Sequence, residues 1–333
     1  MSFLDRLFGK TPSLEDMENA VWKNDAERVE KLAKRLSPEI FKTMLNPLLK
    51  RVNKASMLTT IDGVLKQKKM ALTLTPNDKK VVAAQIGKLI FQNSDYLTKE
   101  NVDFMRQHLS DDKKKFSLSS FKDKDGLSVY DKDQSFGKER YFAVATESEI
   151  GHEFRKAVVD LDIEKVSRFM ENYKKAKGRD INPDIANERG MTGMRYMAYL
   201  MEKAGRNDVK MADKIEKMTS FLYNSGAKLT DEKGNSLFAA DDAAVLGKLL
   251  PDMEKRNDEA GLKLAEQMAK RVLERTSPTG RIGPVDANMV RRLVEKEQVG
   301  QVRASLSKQS PTERMAPVDA TLLRKALSSS SQK

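Results

Sequence analysis

Apolar residues recur at helical spacing along most of the chain. The clearest run is Phe154, Ala157, Val158, Leu161, Ile163, Val166, Phe169 and Met170. These positions fall on one side of two short helices, interrupted near Asp160–Asp162. Turn chemistry follows in Gly178, Asp180-Ile181-Asn182-Pro183 and Asn187-Glu188-Arg189-Gly190. Glycine supplies positive φ, Asn and Asp supply local side-chain bonds, and Pro fixes φ. Thr192 is then placed to cap a new helix, whose apolar stripe is Met194, Met197, Ala198 and Met201.

The same periodicity predicts helices over about 14–24 and 26–36, opened by Ser13 with Asp16 three residues on. Another starts at Ser37-Pro38-Glu39 and is expected to break or kink at Pro47. Further helices are expected over 48–53, 57–68, 78–93, 99–109, 241–250 and 252–275. Strand-rich runs are nearly absent, so the predicted class is all-α. Between 110 and 137 the pattern weakens, and 111–140 reads as a linker. The expected organisation is an N-terminal helical block (1–110), that linker, a central block (141–275) and a flexible tail (276–333). Asp123-Lys124-Asp125-Gly126 invites a calcium-loop reading. With Gly126 at the sixth loop position, the first and twelfth fall on Phe121 and Lys132, which offer no oxygen ligand. A turn is the better reading.

The central block resembles the ankyrin-repeat family, best over about 154–250. Gly190-Met191-Thr192 matches the opening of that family's repeat, and Ala198 matches one of its helix alanines. Met218, Phe221, Leu222 and Tyr223 match its second helix, and Gly226-Ala227 matches the end. Gly234-Asn235-Ser236 with Phe238 and Ala239-Ala240 matches the next opening. The family's Pro and His are missing, and 206–215 reads as an insertion. A second likeness lies in Ala20, Asp25, Val29 and Leu32, which have the five, four and three spacing of Ala157, Asp162, Val166 and Phe169. The resemblance implies a helical-hairpin solenoid of divergent repeats in two blocks. It implies partner binding through loop tips and the first-helix face, here 180–189 and 228–233 with Arg189, Lys233, Arg195, Tyr196 and Tyr199. An unrelated set of helical hairpins would show the same apolar pattern.

The tail holds an internal duplication. Ser277-Pro278-Thr279-x-Arg281-x-x-Pro284-Val285-Asp286-Ala287 recurs as Ser310-Pro311-Thr312-x-Arg314-x-x-Pro317-Val318-Asp319-Ala320. Each copy leads into a short apolar edge with a basic pair. Arg291 and Arg292 correspond to Arg324 and Lys325, and the second edge carries Leu322, Leu323 and Leu327. Two copies of an amphipathic helix suit bivalent docking to a partner groove. The plainer alternative is that the first copy caps the helical block.

Composition narrows the function classes. The 333 residues are 39% hydrophobic and 33% charged, without cysteine, which excludes disulfides and thiolate metal sites. The net charge of +12 would attract an acidic protein surface, an anionic membrane or nucleic acid. Basic residues are interleaved with acidic ones and aromatics are 6%, which argues against a nucleic-acid stripe. No apolar run has the length of a membrane span. Phe3, Leu4, Leu7 and Phe8 give residues 1–10 one apolar face, either a peripheral anchor or a segment folded back on the protein. The two histidines, His108 and His152, stand apart. His152-Glu153 is followed by Lys156 where a zinc-protease helix needs His. Gly87-Lys88 and Gly247-Lys248 lack the rest of a phosphate loop. No metal, cofactor or catalytic set is therefore expected. The expected function is non-enzymatic, a cytoplasmic protein–protein interaction or adaptor protein. A basic nucleic-acid-binding regulator and a secreted bacterial ankyrin-like effector are the alternatives.

Overall fold

In a computed structural model, the structure describes residues 11–70, 74–110, 115–205, 208–239 and 243–275. The described residues form fourteen α-helices and no strand. In order these are α1 (Leu14–Trp22), α2 (Ala26–Lys34), α3 (Pro38–Leu49), α4 (Ser56–Gln67), α5 (Pro76–Gln92), α6 (Lys99–Leu109) and α7 (Val129–Lys132). Then come α8 (Glu139–Val144), α9 (Glu147–Val159), α10 (Ile163–Lys177), α11 (Gly193–Leu200), α12 (Val209–Asn224), α13 (Ala243–Lys255) and α14 (Glu259–Arg275). The chain groups into two compact units. Over the described residues, one holds 11–153 with 168–181, the other 154–167 with 182–275.

In the first unit the buried positions follow the predicted stripes. On α3, Phe41, Leu45, Leu48 and Leu49 are buried, and on α5, Val82, Ala83, Ile86, Leu89 and Ile90. Capping boxes open α1 and α5, where Ser13 and Thr75 exchange bonds with Asp16 and Asp78. Pro47 neither breaks nor ends its helix, contrary to expectation: it lies in the last turn of α3, forgoes one ladder bond, and the helix runs on to Leu49, closed by the Lys50 N–H on the Asn46 carbonyl. Residues 50–53 are turn and loop. The buried Asn101 of α6 ties three backbone groups together. It accepts from the Ala55 N–H at 3.2 Å and donates to the Asn53 carbonyl at 3.1 Å and the Tyr96 carbonyl at 2.9 Å.

The expected linker is a packed part of this unit over its described residues, 115–140. Leu118, Val129 and Asp133 are buried there. Its order comes from side-chain-to-backbone bonds rather than from an apolar stripe. Ser128 and Asp131 form a capping box on α7, and Asp133 accepts from the Tyr141 N–H at 2.8 Å. Glu149, 3% exposed, accepts from the Leu118 N–H at 2.7 Å, the Thr146 N–H at 2.8 Å and the Arg106 guanidinium at 2.7 Å. Beside it Tyr130, Phe142, Phe169 and Tyr173 pack edge-on or tilted with centroids 5.1–5.8 Å apart, the geometry aromatic quadrupoles prefer. Burial pushes the Tyr130 hydroxyl up to about 12.

One inter-helix turn occurs three times. Asn24, Leu161 and Asn257 adopt left-handed φ of 55°, 53° and 51°. The next residue is an Asp that caps the following helix. Asp25 accepts from the Arg28 N–H, Asp162 from Lys165 and Asp258 from Gly261, at 3.0, 3.1 and 2.9 Å. The first two copies are those legible in sequence. The third, around Met253, Asp258, Leu262 and Ala265, has the same spacing. It also moves the expected break from Pro251 to 256–258, with Pro251 inside α13. In the second unit α12 ends on Gly226 at φ 103°, with the Gly226 and Ala227 amides bonded back to Tyr223 and Leu222.

Candidate partner-binding surface

A second recurring element presents charge to solvent. It is a six-residue turn that begins with Asp or Asn, has Gly at its fourth position and Ser or Thr at its sixth. It occurs at 123–128, 187–192 and 231–236. In each the first residue's N–H bonds the fifth residue's carbonyl, and the Gly N–H bonds the first residue's carbonyl. One side-chain oxygen of the first residue accepts from the third and fifth amides. Asp123 does so at 2.9 and 2.9 Å, Asn187 at 2.9 and 3.1 Å, and Asp231 at 2.9 and 2.8 Å. The glycines have φ of 77°, 68° and 80°, which a Cβ would strain. Ser128 and Thr192 cap α7 and α11, and Ser236 accepts from the Phe238 N–H at 3.1 Å.

The second and third positions of these turns are exposed and carry opposite charges: Lys124-Asp125, Glu188-Arg189 and Glu232-Lys233. Of the residues expected from sequence, Arg189 and Lys233 therefore occupy equivalent tips. The pH response of the turns follows from their first residue. Backbone and side-chain hydrogen bonds from Asn235, followed by the Lys233 N–H and the Arg195 charge, hold the Asp231 carboxyl below its usual value. Burial acts to raise Asp123, but hydrogen bonds from Lys132 and from the Leu127 and Asp125 amides outweigh it, so it too is lowered. A depressed carboxylate gives stability that is present above its unfolded value of about 3.9 and lost as pH falls through the folded one. We expect the Asp125, Leu127, Lys233 and Asn235 amide NMR signals to titrate together below that value. The Arg189 and Met191 amides, held by the non-titrating Asn187, should not move with them. Uniform movement of all six would contradict this account.

In the second unit, the 187–192 and 231–236 turns border a groove of about 770 Å³ that also takes in the turn between α13 and α14. Asp184 Oδ1 accepts from the Lys228 N–H at 3.0 Å, linking the two loops. Arg195 lines the groove from the first turn of α11 and donates to the Gly190 carbonyl at 3.2 Å. Tyr223 donates to Asp258 Oδ2 at 2.5 Å. Burial, then that bond, pushes the Tyr223 hydroxyl well above its ordinary value. The Arg256 guanidinium lies 4.7 Å over the Tyr223 ring and donates to the Tyr223 carbonyl.

Tyr196 and Tyr199 do not line this groove. They form a separate patch with ring centroids 6.1 Å apart, Arg155 lying 5.7 Å over Tyr196 and Tyr199 47% exposed. Arg281, Asp286, Arg291, Arg292, Arg314, Asp319, Leu322, Leu323, Arg324, Lys325 and Leu327 lie outside the described residues, as do residues 1–10. Sequence reasoning missed Arg155, Arg256 and Asp258 as surface-forming residues, and the buried Tyr223 as the ring that Arg256 covers. The available signal for Asp258 was its place in the recurring inter-helix turn. Among the described residues no group of three His, Asp or Glu could hold a metal ion, and no helix is long and apolar enough to cross a membrane.

Compared with protein-family models, curated proteins and solved structures, the chain finds no match.

Proposed function

We propose that this protein is a non-enzymatic interaction module, an ankyrin-like helical solenoid that docks a protein partner on the loop face of its second unit. The observation that carries this reading is the repeated turn. Two of its three copies, 187–192 and 231–236, lie in that unit, and each leaves two charged side chains at its tip, outside the shared hydrogen-bonding scheme. A loop held rigid by its own backbone presents such side chains with little ordering cost on binding. The ankyrin resemblance supplies the mode of contact, and the duplicated tail motif would give an adaptor its second contact.

The test replaces Glu188, Arg189, Glu232 and Lys233 together by Ala. Surface substitutions of this kind shift stability by about 0.5 kcal/mol or less each, so the thermal midpoint should move by only a few degrees. A partner co-purified with the intact chain should be lost from the variant. Retention of that partner with an unchanged dissociation rate would remove the loop face from the interaction.

A further inference from the structure

The net charge of +12 is concentrated in one stretch. Residues 31–90 hold thirteen Lys and Arg against three Asp and Glu. They lie in the first unit, where hydrogen bonds fix which helix ends lie together. Asn53 donates to the Trp22 carbonyl at 2.8 Å, and Asn101 ties the 53–55 turn to Tyr96. Thus α1, α3 and α5 all finish at one end. They start at the opposite end, where Lys68, just after α4, donates to the Leu36 carbonyl, just after α2, at 2.6 Å. Cations crowd this second end. Lys34 closes α2, Lys69 follows α4, and Lys42 and Lys80 are the fifth residues of α3 and α5. All four are exposed, and none forms an ion pair among the described residues. The three acids of the stretch are engaged. Asp62 pairs with Lys66 at 2.8 Å, Asp78 completes the Thr75 capping box, and Glu39 bonds Ser37 at the start of α3. The helix dipole accounts for Lys34 at a C-terminus, but near the starts of α3 and α5 it favours anions. Apolar side chains share this end. Leu14 opens α1, Ile40 lies in the first turn of α3 and Val81 follows Lys80, and they are 37%, 41% and 46% exposed. Thr11, through which residues 1–10 join the described chain, is here too, and their sequence carries Phe3, Leu4, Leu7 and Phe8.

We propose that this end of the first unit docks on an anionic membrane surface, with Lys34, Lys42, Lys69 and Lys80 among the lipid headgroups and Leu14, Ile40 and Val81 at the acyl boundary. The proposal is independent of the docking reading above, which concerns the second unit. Attraction of basic residues to anionic lipid and shallow burial of apolar side chains are the two signals that together hold a protein on a bilayer it does not span. Each Lys near an anionic leaflet strengthens binding by about fivefold. Lysine brings a point charge without the planar fork that suits arginine to carboxylates and base edges, so neither an acidic peptide nor a nucleic acid is the better fit. A polynucleotide would also set its phosphates against Ile40 and Val81, while the paired aromatics Trp22 and Tyr96, on which bases could stack, lie at the other end.

The experiment is cosedimentation of the full chain with vesicles of phosphatidylcholine alone or with about 30% phosphatidylserine, at about 0.1 M salt, where charges are screened over about 10 Å. The expected preference for the anionic vesicles is at least about tenfold. Lys34→Gln, Lys42→Gln and Lys80→Gln together should lower anionic binding by roughly a hundredfold. Lys23→Gln, Lys54→Gln and Lys99→Gln remove the same charge from the other end and should lower it by less than about fivefold. Both triple variants should keep the parent's thermal midpoint. Ile40→Gln with Val81→Gln should weaken binding several-fold, and Glu39→Gln should tighten it several-fold, which a misfolded variant could not do. Equal affinity for the two vesicles would overturn the proposal. Equal loss in the two lysine variants would also overturn it, showing adsorption by net charge alone. Unchanged binding after Ile40→Gln with Val81→Gln would overturn the bilayer contact. A DNA duplex or polyglutamate that outbinds the anionic vesicles and is lost with Lys34, Lys42 and Lys80 would overturn it in favour of nucleic acid or an acidic protein.

Discussion

Glu149→Ala is expected to lower the thermal midpoint of the first unit by roughly 10 °C, the equivalent of about 3–5 kcal/mol for removing one member of a buried ion pair. The carboxylate is 3% exposed and serves three elements at once. It closes the N-terminus of α9 by accepting the Thr146 N–H, in a box completed by the Glu149 N–H on the Thr146 hydroxyl. It accepts the Leu118 N–H from the 115–121 stretch, and it pairs with Arg106 of α6. Alanine leaves both amides without their acceptor. It also leaves a guanidinium whose remaining partners are the Val144 carbonyl and Asp103. The loss should be local as well as global. Trypsin should cut at Lys115 and Lys122 in the variant well before it cuts there in the parent. A midpoint within 2 °C of the parent, with unchanged cleavage, would show that Glu149 does not hold this region together.

Asn101→Ala is the second large effect, about 3 kcal/mol by urea unfolding. The side chain is fully buried and bonds one donor and two acceptors, two of these groups at residues 53 and 55 and the third at Tyr96. Each buried group left without its bond costs about 1–3 kcal/mol, less where water enters to replace it. Asn101→Asp retains the acceptor for the Ala55 N–H but points a carboxylate oxygen at two carbonyls, so it should be no better than Ala. A loss under 0.5 kcal/mol for Ala would mean that the three backbone groups have other partners.

Neither residue stands out in the sequence, and the reason is physical. Helices were legible because burial of Phe41, Leu45, Leu48 and Leu49 imposes a period, and because Ser13, Thr192 and Asp25 announce their ends. A buried Asn or Glu leaves no such period. It looks like its solvated neighbours until the chain folds its partners around it. The same limit explains the segment 115–140, whose order rests on Glu149, Ser128 and Asp133 rather than on apolar spacing. The segment 123–128 reads as a turn from its sequence, but its kinship with 187–192 and 231–236 is hidden by unequal intervals and by the exchange of Asp for Asn. At the groove, Arg195 was accessible through the ankyrin resemblance. Arg256 and Tyr223 meet only through tertiary structure.

The repeated turn separates two jobs that most loops combine. Its conformation is written in the first, fourth and sixth residues, whereas the second and third contribute only backbone to it. Lys124-Asp125, Glu188-Arg189 and Glu232-Lys233 are thus three different inscriptions on one frame. On the docking reading proposed above, substitution at a tip would change what is recognised without disturbing how the chain folds. Such a surface would then be free to drift toward new partners one tip at a time, each trial costing almost nothing in stability.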